Sequence, residues 1–157
     1  MLSASRIKQL KSLHQKKFRR QENQFLLEGN RLIDQALSAD AQIIEVWMTQ
    51  KNLDSDFGKN ILQQFEEKNI PFSLAPEKII RQMSDSLNDQ GIIALVPIPV
   101  YEKYDSPPNK AIYLDGISDP GNMGTILRTA AWFGIKSIFR SPECVDPFNS
   151  KVVRTAM

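Results

Sequence analysis

The stretch YLDGISDPGNMGTILRTAAWFG, from Tyr113 to Gly134, decides how the second half of this chain folds. It continues an apolar run from Ala111 and reads as a strand ending at Asp115. A loop rich in turn formers reverses the chain, and Asn122 stands where a helix N-cap is expected. The helix then runs to Phe133 and closes at Gly134, before a second strand from Ser137 to Phe139. Strand, helix, strand calls for a parallel pair joined by a right-handed crossover. Ligands of such sheets sit at the carboxyl ends of the strands. Amides from Gly121 to Gly124 are therefore expected to receive an anion such as a backbone phosphate. Met123, Ile126, Leu127, Ala130 and Phe133 form one apolar stripe. Thr125, Arg128, Thr129 and Trp132 fall on another face, which leaves Arg128 free to project.

Upstream, helices and strands alternate. Ile7, Leu10 and Leu13, with Lys and Arg between them, predict a basic helix with a narrow apolar side that Phe18 extends. Phe25-Leu26-Leu27 reads as a strand, followed by a helix burying Leu32, Ile33, Ala36 and Leu37. Ile43 to Met48 is a buried strand that includes Trp47, and a helix follows around Ile61, Leu62 and Phe65. Pro71 to Leu74 is a further strand, and Pro76 opens a helix with Ile79, Ile80 and Met83 inward. After a polar loop, Ser84 to Asp89, the run Gly91 to Val96 is apolar enough for a central strand.

Four prolines, Pro97, Pro99, Pro107 and Pro108, fall close together after that strand and predict a linker. The expected organisation is a small α/β domain over 1–96, a linker over 97–109 and a second domain over 110–157. That last segment holds too few elements to cover both faces of a parallel sheet. It reads as incomplete, or as borrowing cover from another copy.

Charge is divided unevenly. Residues 1–31 carry eight Lys and Arg against two Glu, a net +6 within a chain whose total is +2, so the remainder is acidic. This asymmetry fits a polyanion-binding face or a solvated basic helix. One cysteine, Cys144, and one histidine, His14, offer neither a disulfide nor a metal cluster. Cys144 lacks a paired base and reads as structural, and His14 as a solvated residue of the basic helix. No stretch resembles a signal peptide or membrane span, so the cytoplasm is the expected compartment.

DPGNMGTILRTA resembles the first signature motif of the SpoU (TrmH) RNA methyltransferases at Asn122, Gly124 and Arg128. SPECVDPFNSKVVRTAM resembles the second motif at Asp146, Asn149, Lys151, Val152, Val153 and Arg154, departing from it at Ser150, where proline is frequent. RIKQLKSLHQKKFRRQENQFLLEGNRLIDQAL and DQGIIALV look like the N-terminal substrate-binding domain of the same family, a fold shared with ribosomal RNA-binding proteins.

The resemblance implies an α/β fold in which a small RNA-binding domain precedes the first part of an α/β-knot (trefoil) methyltransferase domain, with the knot-forming segment not included. It implies S-adenosylmethionine-dependent methylation of a ribose 2′-hydroxyl in rRNA or tRNA, by a homodimer. Asn122 and Arg128 are the implied catalytic residues, and the basic helix and the Phe25 to Arg31 segment are implied to face RNA. The expected RNA-binding set is Lys8, Lys16, Lys17, Arg19, Arg31, Lys151 and Arg154. Cofactor-binding residues are expected mainly beyond Met157, so no bound cofactor and no activity are expected of these 157 residues alone. Two other readings use the same residues: an RNA-binding module without catalysis, and a nucleotide-binding α/β protein using the Gly121 to Gly124 loop.

Overall fold

The structure, a computed structural model, describes residues 2–86, 89–100 and 108–157. Leu87 and Asn88 of the polar loop, and residues 101–107 of the proline-rich stretch, lie outside the described residues. The chain divides into two compact units, Met1–Ile98 and Pro99–Met157.

In the first unit, α1 (Ala4–Ser12) opens on Ser3, whose Oγ accepts a hydrogen bond from the Arg6 amide. The single helix expected to reach Phe18 is instead two, because the chain bends after Leu13 and restarts as α2 (Lys16–Glu22). Arg19 explains the bend. It is 3% exposed, and its Nη1 donates to the Leu13 oxygen at 2.9 Å and the His14 oxygen at 2.7 Å, carbonyls left over at the end of α1. His14 is half-buried in the same bend, with Nε2 2.7 Å from the Met83 oxygen, and is not the solvated residue expected.

Strand β1 (Gln24–Glu28) leads into α3 (Asn30–Ser38), which buries the four apolar residues expected of it. Next come β2 (Glu45–Met48), a short α4 (Gln50–Leu53), α5 (Asp56–Glu67), β3 (Phe72–Leu74), α6 (Glu77–Met83) and β4 (Ile92–Pro97). Pro76 is the N-cap of α6 rather than a residue of its first turn. The sheet order is β1-β4-β2-β3, with β4 antiparallel to both neighbours and β3 parallel to β2. β4 is central, as its apolar run predicts, and every residue from Ile92 to Val96 is buried. Alternation along the strands turns Leu26, Trp47, Ile93 and Leu95 to one face, where they pack with Leu10, Leu13, Ile80 and Met83.

In the second unit, β5 (Ala111–Leu114) and β6 (Ser137–Arg140) are parallel, with Tyr113 opposite Phe139. They are linked through α7 (Pro120–Trp132), and α8 (Ser150–Thr155) follows. Leu114, Met123, Cys144 and Val152 form the core of this unit. The opposite sheet face shows Tyr113 (66% exposed) and Phe139 (43%), as expected for two strands with helical cover on one side.

Candidate functional site

The start of α7 differs from the sequence reading in a way that changes its chemistry. Asp119, not Asn122, is the N-cap: its Oδ1 accepts from the Asn122 amide at 2.7 Å, and its main-chain oxygen accepts from the Met123 amide. Pro120 takes the first helical position, where its missing N–H costs nothing. Two of the amides expected to receive an anion are thus occupied within the helix. Asp followed by Pro was the local signal for this start.

Gly124 also has another use. A Cβ built on it would lie 2.6 Å from Thr155 Cβ, 2.7 Å from the Val152 oxygen and 3.0 Å from the Ala156 nitrogen. The glycine lets α7 and α8 approach closely rather than opening room for a phosphate. Its counterpart Gly121 is partly exposed, with the Asp119 carboxylate near its Cβ position.

This helix pair brings the two sequence motifs together. Arg128 is exposed on α7, and its Nη1 donates to the main-chain oxygen of Met157, 2.9 Å away, just past the end of α8. On α8, Asn149 caps the helix by accepting from the Lys151 amide, so serine at 150 leaves the start intact. Lys151 is exposed. Arg154 is half-buried, and its Nη1 is buried without an acceptor among the described residues. Asn122 is exposed, ten residues of α7 before Trp132, which is itself 87% exposed. Phe133 caps α7 in the open at 74% exposure, so the apolar stripe ends at Ala130.

The loop before α8 is held by its own side chains and by the loop that follows β5. Ser141 Oγ accepts from the Gly116 amide, Val145 donates to the Ile117 oxygen, and Asp146 is buried, accepting from Phe148. Cys144 is buried with its thiol 3.4 Å from the Leu114 oxygen, consistent with a structural residue. Glu143 is fully exposed, and hydrogen bonds from its own amide and the Ser141 hydroxyl hold its carboxyl below the usual value.

In the first unit, Lys8 and Lys17 are exposed and Lys16 half-buried on the α1–α2 elbow, while Arg31 is exposed at the start of α3. Arg19 leaves the expected set: burial and its bonds to two carbonyls make it a structural residue rather than a phosphate ligand.

Sequence reasoning missed a polar network at the end of the sheet where α3 begins. Asn52 of α4 is 6% exposed, and its Nδ2 donates to Asn30 Oδ1 at 2.8 Å and the Gln90 oxygen at 2.7 Å. Gln90 in turn accepts from the Asn30 amide through Oε1. No local pattern announces these contacts, since each joins residues far apart in sequence. A cavity of about 350 Å³ lies beside this region, lined by Thr49, Gln50, Lys51, Leu74, Ala75, Pro76 and Glu77, and by no residue of the second unit. Among the described residues, no group of three metal-ligating side chains forms and no helix is long and apolar enough to cross a membrane.

The two units define a bipartite α/β protein: a mixed-sheet unit with a basic front, and a parallel strand–helix–strand unit whose paired helices carry Arg128, Lys151 and Arg154. The model of the MRM3-like substrate binding domain matches residues 4–94, and that of the SpoU rRNA Methylase family matches residues 109–157. The chain belongs to the SpoU methyltransferases. It is 32% identical to an uncharacterized tRNA/rRNA methyltransferase of Synechocystis sp., over 96% of this chain and 54% of that protein. It is 29% identical to the 23S rRNA (guanosine(2553)-2'-O)-methyltransferase RlmP of Bacillus subtilis, over 96% of this chain and 57% of that protein. The crystal structure of an AdoMet-bound rRNA methyltransferase from Sinorhizobium meliloti superposes with a TM-score of 0.78 at 25% identity, over all of this chain and 59% of that one. The chain therefore spans somewhat more than half the length of these three relatives.

Proposed function

We propose that this chain serves the S-adenosylmethionine-dependent methylation of a ribose 2′-hydroxyl in ribosomal or transfer RNA. In this reading residues 1–96 are the RNA substrate-binding domain, 97–109 a linker, and 110–157 the N-terminal part of the catalytic domain. The observation that carries the reading is the α7–α8 pair. Close packing at Gly124 sets Arg128 of the first motif beside the end of the helix bearing Lys151 and Arg154 of the second.

Methylation requires the 2′-hydroxyl to lose its proton. A guanidinium offers donors and a fixed positive charge but no acceptor, so Arg128 is a poor base. It is suited to hold the nucleotide phosphate and stabilise negative charge as it develops on the ribose oxygen. Asn122 would help position the nucleotide, and Lys151 and Arg154 would bind RNA phosphate. Lys8, Lys16, Lys17 and Arg31 would supply phosphate contacts from the first unit. S-adenosylmethionine, which supplies the methyl group, enters this reading through the AdoMet-bound relative.

Mapping 2′-O-methyl sites in RNA from cells with and without the gene tests the proposal. Loss of one ribose methyl group with the gene supports it, and loss of a base methyl group instead would overturn it. A non-catalytic RNA-binding module is the second reading, and it draws on the match of residues 4–94 to a substrate binding domain. It expects RNA binding with no change in the methylation map. The partners in the first reading are RNA and a second copy of the chain, in the cytoplasm. Sedimentation of the gene product tests the dimer.

A further inference from the structure

We propose that Asn52 is a positioning residue for RNA recognition, holding the turn that carries Arg31 in a fixed relation to the turn at Gln90–Gly91. The proposal rests on the RNA-binding reading of the first unit.

Three turns meet at this end of the sheet, and each is held by another. Gly29 (φ +95°) is the N-cap of α3 and offers no side chain to its amides. The cap comes from outside, since Gln90 Oε1 accepts from the Asn30 amide at 2.8 Å. Gly91 (φ +74°) lies so close to α4 that a Cβ would sit 2.6 Å from Thr49 Oγ1, while a Cβ on Gly29 would sit 2.7 Å from Gln90 Oε1. Asn52 lies between them. One amide nitrogen serves Asn30 and Gln90 together, which fixes the orientation of its side chain.

The other half of that amide is unsatisfied. Asn52 Oδ1 is buried and has no hydrogen-bond partner among the described residues. A buried acceptor without a donor costs stability, which offsets part of what the two Nδ2 hydrogen bonds contribute. What Asn52 contributes is position. Two residues into the helix it steadies, Arg31 is exposed and makes no ion pair among the described residues, and Lys51, next to Asn52 in sequence, is exposed as well. A guanidinium presented from a rigid turn loses less freedom on meeting a phosphate than one on a mobile loop.

A merely structural Asn52 and a positioning Asn52 differ in how they combine with Arg31. The test is a double-mutant cycle on the full chain, reading affinity for a fluorescein-labelled RNA stem–loop. R31A should weaken binding about tenfold, the loss of one phosphate contact, and lower the salt dependence by about one unit. N52A should weaken binding by a similar factor, and the double variant should bind about as well as R31A alone. N30A removes the Oδ1 acceptor of one Asn52 bond, so it cuts the same network from its other side and should behave as N52A does, which keeps the test valid where N52A fails to fold. Additive losses, or N52A or N30A binding as tightly as the parent, would overturn the proposal while leaving RNA binding intact. A parent chain that fails to bind the stem–loop would overturn the RNA-binding reading and this proposal with it.

Discussion

Gly124 faces Thr155 across the α7–α8 contact so closely that a methyl group on the glycine would lie 2.6 Å from the threonine Cβ. Alanine favours helix by about 1 kcal/mol over glycine. Steric conflict here opposes that gain, and because the Val152 oxygen and Ala156 nitrogen are backbone atoms, rotamer change cannot relieve it. We expect Gly124→Ala to destabilise the second unit by about 1–3 kcal/mol. Hydrogen exchange at the Ala156 amide, bonded to the Val152 oxygen, reports the effect. Unchanged protection there would mean that α8 yields freely.

Cations of the basic N-terminal segment should separate by role. Arg19→Ala removes the donor to two carbonyls from a buried position, and we expect a loss of about 2–3 kcal/mol in folding stability. Lys8→Gln, Lys16→Gln and Lys17→Gln together should leave stability within about 0.5 kcal/mol. The triple variant should lower the salt dependence of RNA binding by about two to three units. Denaturant melts and RNA titrations at several salt concentrations decide. Equal stability losses in both variants would return Arg19 to the expected RNA-binding set.

How much of this was legible in the sequence follows from the range of the interactions. β4 announced itself because Gly91 to Val96 is an unbroken apolar run, and α3 because Leu32, Ile33, Ala36 and Leu37 keep helical spacing; both are buried as expected. The motifs around Arg128 and Lys151 were legible as strings, and the packing that joins them was not. Gly124 meets residues about thirty positions later in the chain, and nothing local distinguishes a packing glycine from a phosphate-binding one. Asn52 and Arg19 illustrate the same limit. Their polar types suggested surface, but each is buried because its partners are carbonyls or amides that only the folded chain supplies.

Asp40, at the end of α3, has its carboxyl held below the ordinary value, chiefly by a hydrogen bond from Lys68 and then by that ammonium's charge. A carboxyl with a lower pKa folded than unfolded stabilises the fold above the unfolded value, here about 3.8, and ceases to as pH falls through the folded value. Asp40→Asn should therefore flatten the acid limb of the stability curve, and high salt should mimic it in part, because the pair is exposed. Asparagine also tolerates the left-handed backbone at this position (φ +50°), so strain will not confuse the comparison. Urea melts from pH 7 into the acid range measure it. An acid limb identical in both proteins would show that the pair contributes nothing.

The contact between Arg128 and the Met157 oxygen makes the arginine variants the sharpest test of the proposed reaction. Arg128 is exposed and its Nη1 donates to main chain, so its removal should leave the melting temperature nearly unchanged. If it holds the phosphate and steadies charge on the ribose oxygen, Arg128→Ala in the gene product should slow methyl transfer about 100-fold or more. Lysine keeps the charge and loses the planar fork, so it cannot serve a phosphate and the Met157 oxygen in the same geometry. Arg128→Lys should therefore retain RNA affinity while recovering only part of the rate. Single-turnover methylation with saturating RNA separates these effects. Full turnover in Arg128→Ala would remove the residue from the reaction, and a rate lost only through weaker RNA binding would make it a phosphate anchor without a role in the transfer step.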